Sequence, residues 1–136
     1  MSVSIHSLPP EFNRKALKKI IEKVLAGEKK KEPRLTLLFL GPAKMAELNL
    51  RYRQKKGPTD VLSFLAFEAG YWGEVVICPA QVKQNARRFK EKFSQELQRV
   101  LVHGLLHLLG YDHEKGREKA ILMRKKEEYY SSPTNH

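Results

Sequence analysis

The chain has 136 residues, 41% of them hydrophobic and 30% charged, which is enough for one domain with its own core and unlike a disordered or fibrous chain. Its 26 Lys and Arg against 15 Asp and Glu leave a formal charge of +11, and such an excess favours a polyanionic partner because each neutralised phosphate releases condensed counterions. One cysteine excludes an intramolecular disulfide and a cysteine-rich zinc ribbon; no apolar run reaches the ~18 residues of a bilayer-spanning helix, and residues 1–12 lack a signal-peptide layout, so the expected compartment is the cytoplasm, with no membrane association.

Residues 2–7 alternate enough for a short strand, and Pro9 and Pro10 mark the start of a helix. Phe12, Leu17, Ile20, Ile21, Val24 and Leu25 recur at helical spacing with lysines on the other side, and Gly27 reads as the stop. Residues 34–40, bounded by Pro33 and Gly41-Pro42, read as a buried strand, so the first three elements suggest a right-handed βαβ unit. A short helix over residues 43–53 leads into the polar loop 54–60. Residues 61–67 and 74–77 are two strands around a hairpin turn at Gly70-Tyr71-Trp72-Gly73. Trp72 at that turn is either a substrate contact or a packed loop aromatic, and Cys78 reads as a small buried residue. Helices follow over residues 80–92, 94–109 and 116–129, with a frayed tail over residues 131–136. The order β-α-β-α-β-β-α-α-α predicts an α/β (or α+β) fold: a single domain, residues 1–136, with a mixed four-stranded sheet flanked by about five helices.

The chemistry concentrates near the C-terminal end, in His103-Gly104-Leu105-Leu106-His107-Leu108-Leu109-Gly110-Tyr111-Asp112-His113. Histidines four apart on a helix project from one face, one turn from each other, so both imidazoles can reach one ion. Gly110 can adopt the left-handed conformation that ends a helix and returns His113 toward the same point. Leu97, Val100, Leu101, Leu105 and Leu108 read as core. Three neutral histidines with an open fourth position are a pattern of catalytic zinc, although nickel, copper or iron also suits imidazole. Asp112 and Glu114 are candidates for accepting from ligand N–H groups or for proton transfer, or they simply solvate the helix end.

The spacing H-x3-H-x2-G-x2-H also resembles the metzincin protease signature, except that Gly104 stands where those enzymes carry their general-base glutamate. A protease built this way lacks its proton acceptor.

Three segments together resemble the YbeY family of bacterial endoribonucleases and ribosomal RNA maturation factors. Residues 103–113 are similar to its H-G-x-L-H-L-x-G-Y-D-H signature, Arg51-Tyr52-Arg53-Gln54-Lys55-Lys56-Gly57-Pro58-Thr59-Asp60-Val61-Leu62-Ser63-Phe64 to its Y-R-x-K-x-x-P-T-D/N-V-L-S-F motif, and Gly73-Glu74-Val75-Val76-Ile77-Cys78-Pro79 to its G-D/E-I-V-I-C strand. Leu65 departs from the proline usual there, and a short acidic loop near Glu68 is a second departure. The resemblance implies a metal-dependent RNase specific for single strands, acting in 16S rRNA maturation and ribosome quality control. It implies His103, His107 and His113 as metal ligands, with His103 and Arg53 as catalytic residues, zinc as the cofactor, and single-stranded rRNA and ribosomal proteins as partners without DNA specificity. Independently of it, the Arg53 guanidinium suits bidentate grip of a phosphodiester. The competing readings are a zinc metalloprotease-like hydrolase and a non-catalytic rRNA-binding module with a structural metal.

Overall fold

The computed structural model describes residues 2–30, 34–68, 70–111 and 116–131. Among these, four strands form one sheet with five helices around it: β1 (Ser2–His6), α1 (Arg14–Gly27), β2 (Arg34–Phe39), α2 (Pro42–Arg53), β3 (Val61–Glu68), β4 (Tyr71–Ile77), α3 (Pro79–Arg88), α4 (Phe93–Leu108) and α5 (Arg117–Ser131). The sheet order is β1-β2-β4-β3. β1 and β2 run parallel, as do β2 and β4, and β3 returns antiparallel to β4. The expected mixed four-stranded sheet with flanking helices is what forms. No helix among the described residues is long and apolar enough to cross a membrane.

Strand alternation divides the core in two. Leu35, Leu37, Phe39, Val75 and Ile77 point to one face, where they meet α1 and α4 in the larger cluster. Leu62, Val76 and Cys78 point to the other face and pack with Met45 of α2. Thus α2 and α4 lie on opposite faces of the sheet, and Cys78 is a buried apolar residue as its setting in the sequence suggested.

Several boundaries differ from expectation for identifiable reasons. The first helix starts after Asn13, whose side chain accepts from the Ala16 N–H, and not at the prolines; Phe12 lies in the turn before it and still packs in the core. Gly27 is the last residue of the helix, as read, but it is not the left-handed one. Lys29 takes the left-handed conformation (φ 57°), with its N–H donating to Ala26 O and that of Lys30 to Leu25 O. Gly27 is needed for space, because a Cβ there would lie 2.4 Å from the Tyr130 hydroxyl oxygen. The same ending shortens α3: Lys90 (φ 55°) is left-handed, and the Glu91 N–H donates to Ala86 O, so the helix ends at Arg88 and not near residue 92. Finally, the β3–β4 turn precedes Tyr71. Trp72 therefore lies within β4, half-buried against the main core, which corrects its placement at the hairpin tip.

Helix α5 carries few apolar residues and is anchored mainly by polar contacts. Glu28, at the end of α1, accepts hydrogen bonds from Tyr130, from Tyr111 just beyond α4, and from Lys126 Nζ at 3.1 Å. The terminal carbonyls of α5 are also engaged: Gln98 donates to Tyr130 O at 3.1 Å and Gln95 to Ser131 O at 3.0 Å. Burial pushes the Glu28 carboxyl up, but its three donors and the Lys126 charge outweigh burial and hold it below the usual carboxylate range. Burial and the Glu28 carboxylate push the Tyr111 hydroxyl up to about 12, and the same causes raise Tyr130 further.

These shifts set both pH limits of the cluster. A lowered carboxyl stabilises the fold above its ordinary value of 4.5, and that contribution is lost as pH falls through the folded value. Raised phenols stabilise below their ordinary value of 10.0, and that contribution is lost as pH rises toward about 12. Glu28→Gln is expected to cost about 1–3 kcal/mol at neutral pH. Thermal melts of wild type and variant should converge both below pH 4.5 and between pH 10 and about 12; a gap that does not change with pH would refute the assignment.

Candidate functional site

Helix α4 lies against the sheet through a residue with no side chain. A Cβ on Gly104 would stand 2.7 Å from Val75 Cγ1, 3.1 Å from Val61 Cγ2 and 3.3 Å from Ser63 Oγ, while Ser63 Oγ donates to Gly104 O at 3.0 Å. With that contact set, Leu97, Val100, Leu101, Leu105 and Leu108 all turn into the core, as expected. His103 and His107 then fall on the flank of the helix, half-buried, one turn apart. Their ring centroids are 4.8 Å apart with an interplanar angle of 68°. The two imidazoles predicted to share a face do so.

The helix ends as its glycine requires. Gly110 has φ +99°, its N–H donates to His107 O at 3.1 Å, and the Tyr111 N–H reaches back to Leu106 O at 3.0 Å. The Tyr111 hydroxyl donates to Glu28, fixing the start of the next segment against α1. His113, the third expected ligand, lies outside the described residues, as do Asp112 and Glu114. Among the described residues no group of three His, Cys, Asp or Glu side chains surrounds one point.

A carboxylate that the motifs did not reveal stands behind the pair. Nδ1 of His103 is in hydrogen-bond contact with Glu127 Oε1 of α5. Nδ1 faces this carboxylate, so Nε2 is the nitrogen through which His103 would meet an ion. Beside them a cleft of about 270 Å³ between α4 and α5 is lined by Arg99, His103, Ala120, Met123, Arg124 and Glu127. Arg99, one turn before His103, grips the buried Glu96 through Nε and Nη2 at 2.9 and 2.6 Å and lies 3.9 Å from Asp60. The Glu96 hydrogen bonds hold the guanidinium above its usual pKa against the opposing effect of burial. Glu127 is 24 positions from His103 and has no motif around it; the one sequence signal is its spacing from Met123 and Tyr130, which puts an acid on the inward face of α5.

Arg53 is the last residue of α2 and exposed, on the sheet face opposite α4. The loop it opens is pinned where Asn49 Nδ2 donates to Gly57 O at 2.8 Å. The far end of that loop reaches the α4 side, because Asp60 accepts from Asn85 at 3.2 Å and faces Arg99. The segment 54–60 therefore bridges the two faces of the sheet around its β3 edge, with Arg53 at one end and the histidine helix at the other.

The donors fit a divalent transition ion. Two imidazoles share one helix flank, and the ring of one is oriented by a carboxylate, as is usual for metal-bound histidine.

Similarity to known proteins agrees with this architecture. The family model described as Endoribonuclease YbeY matches residues 4–134. A protein named Endoribonuclease YbeY from Thermodesulfovibrio yellowstonii is 46% identical over 99 residues, covering 69% of this chain and 62% of that protein. One of the same name from Bdellovibrio bacteriovorus is 37% identical over 125 residues, covering 88% of this chain and 83% of that one. The chain thus spans less than two thirds of the length of the Thermodesulfovibrio relative. The solution structure of TM1509 from Thermotoga maritima superposes with a TM-score of 0.70 at 32% identity, covering 95% of this chain and 86% of that one. The chain is therefore a member of an α/β family built on a mixed sheet with a histidine-bearing helix. That family is YbeY, and the chain belongs to it.

The Gly104 contact makes a direct prediction. Alanine normally favours a helix over glycine by about 1 kcal/mol. Here the stiff Val75 and Val61 side chains leave no room, so Gly104→Ala should destabilise by about 1–3 kcal/mol in urea unfolding. It should also move the His103 and His107 ring resonances; a stabilised variant with unmoved rings would contradict the packing described.

Proposed function

We propose that this chain is a metal-dependent endoribonuclease specific for single strands, acting in the cytoplasm in 16S rRNA maturation and ribosome quality control, with zinc as its ion. The observation that carries this reading is the His103–His107 pair on one flank of α4 with Glu127 behind it, in a chain of the YbeY family, whose relatives are named endoribonucleases. His103 and His107, with His113 from the segment after Gly110, are the proposed ligands. When bound, the ion supplies Lewis acidity, polarising a phosphoryl oxygen and making water more acidic.

The remaining work belongs to the chain. Arg53 and His103 are the proposed catalytic residues: Arg53 binds the scissile phosphate bidentately and offsets charge that develops on it, while His103 holds the ion. Arg53 opens the loop 54–60 on the opposite sheet face, and that loop runs around the sheet edge to Asp60, which faces Arg99 of the histidine helix. The formal charge of +11 favours a polyanionic strand and suits rRNA in the setting of the ribosome and its proteins; no DNA specificity is assigned.

A peptidase is disfavoured by a specific contact. Gly104 occupies the position where the metzincin pattern needs glutamate, and it is pressed against Val61, Ser63 and Val75, so no acidic side chain fits there. A structural-metal RNA-binding module would retain RNA uncut.

The test pairs metal analysis with cleavage. His107→Ala should remain folded, lose retained zinc and lose cleavage of single-stranded RNA, and a chelator should abolish cleavage by the wild type. Binding should weaken with salt at a log–log slope of about −0.7 per phosphate contact. Full cleavage by the zinc-free variant would exclude the mechanism, and RNA bound but never cut would favour the module.

A further inference from the structure

We infer that Glu127 is a positioning residue that holds His103 in its Nδ1–H tautomer and so presents Nε2 to the metal. The inference deepens the proposed metal reading and rests on it for the final step only.

The geometry is built from the far end of α5. Met123, Glu127 and Tyr130 are spaced four and three residues apart and share one helix face. Met123 and Tyr130 are fully buried and fix the rotation of that face. Tyr130 is held through its hydroxyl by Glu28, through its carbonyl by Gln98 and Lys23, and through the close approach of its ring to Gly27. One turn before this anchor, Glu127 has nowhere to turn but toward α4, and it meets His103 there with side-chain exposures of 18% and 24%. Partial exclusion of water makes the contact directional: an imidazole in water exchanges tautomers freely, whereas one facing a fixed acceptor does not.

Arg99 does not compete for this role. Its Nε and Nη2 grip Glu96 and its ion pair is with Asp60, so Glu127 acts on it through charge while its hydrogen bond goes to the histidine. A carboxylate behind a ligating histidine fixes the ring and raises its basicity, and removing such a partner typically costs about 10–100-fold in metal affinity.

The experiment uses the full chain with two readouts. In metal-free protein, long-range nitrogen–proton NMR reports the His103 tautomer; in a second arm, competition with a chromophoric chelator measures zinc affinity. Wild type should show Nδ1–H, and Glu127→Ala should move His103 toward the Nε2–H form and weaken zinc binding by about 10–100-fold. Glu127→Gln, whose amide oxygen still accepts, should restore the tautomer and most of the affinity. Glu128→Ala, removing an equal charge from an exposed neighbour, should change neither. Amide spectra confirm that each variant is folded. An unchanged tautomer in Glu127→Ala, or wild-type zinc affinity in that variant, overturns the inference. Because the first readout contains no metal, it decides the Glu127 contact alone; failure of every protein, wild type included, to bind zinc would instead overturn the metal reading.

Discussion

Everything at the candidate site depends on how closely α4 approaches the sheet. A helix residue turns about 100° from its neighbour, so the direction of His103 and His107 is set once any other residue on α4 has its place fixed. Gly104 is that residue. Its missing side chain lets the helix backbone settle onto Val61, Ser63 and Val75, and Ser63 clasps the Gly104 carbonyl at 3.0 Å. The three similar segments thus converge physically: Gly104 comes from the histidine segment, Val61 and Ser63 from the strand after the polar loop, and Val75 from the neighbouring strand. A second close approach works in the same direction, since a Cβ on Gly73 would lie 2.0 Å from Phe64 O, and only glycine allows β3 and β4 to pair so tightly there. The motifs are interlocking surfaces as well as donors of chemistry.

A second layer of contacts is ionic and holds α5. Glu28 gathers two phenols and an ammonium in a nearly closed site, its side chain only 8% exposed. A buried carboxylate is stable only when its lone pairs are satisfied, and here the satisfying groups come from three separate places: the segment after α4, and two turns of α5. Glu28 therefore ties α1 both to the helix that carries Glu127 and to the backbone that leads toward His113.

How much of this was legible in the sequence follows from what each feature depends on. The strand and helix order, the inward leucines of α4, the shared face of His103 and His107, and the glycine-terminated helix end are local properties, written in spacing of four residues or fewer, and they stand in the structure as read. The end of α3 was not legible because Lys90, a residue with no preference for the left-handed conformation, occupies the position usually given to glycine, as Lys29 does after α1. Gly27 ends α1 as read, but the room it makes was not legible: it admits the ring of Tyr130, more than a hundred residues later in the chain. Glu127 and Glu28 were invisible because their meaning lies wholly in partners 24 and 83 or more positions away. On α5, a polar helix with few buried residues, an inward acid looks like one more charge on a solvated face.

The same contacts explain how a chain of formal charge +11 sustains a site rich in acids. Glu28, Glu96 and Glu127 all turn inward, each against a named partner: phenols and Lys126, Arg99, and His103. Acids consumed in this way do little to neutralise the exterior, where lysines and arginines of α1, α2 and α3 remain exposed. Outer field and local contacts are thereby separated: a net positive exterior acts over roughly a Debye length of ~8–10 Å. The inward acids are set apart from the basic exterior by packing and by their partners rather than by distance, and the histidine cleft itself carries both signs, with Arg99 and Arg124 beside Glu127.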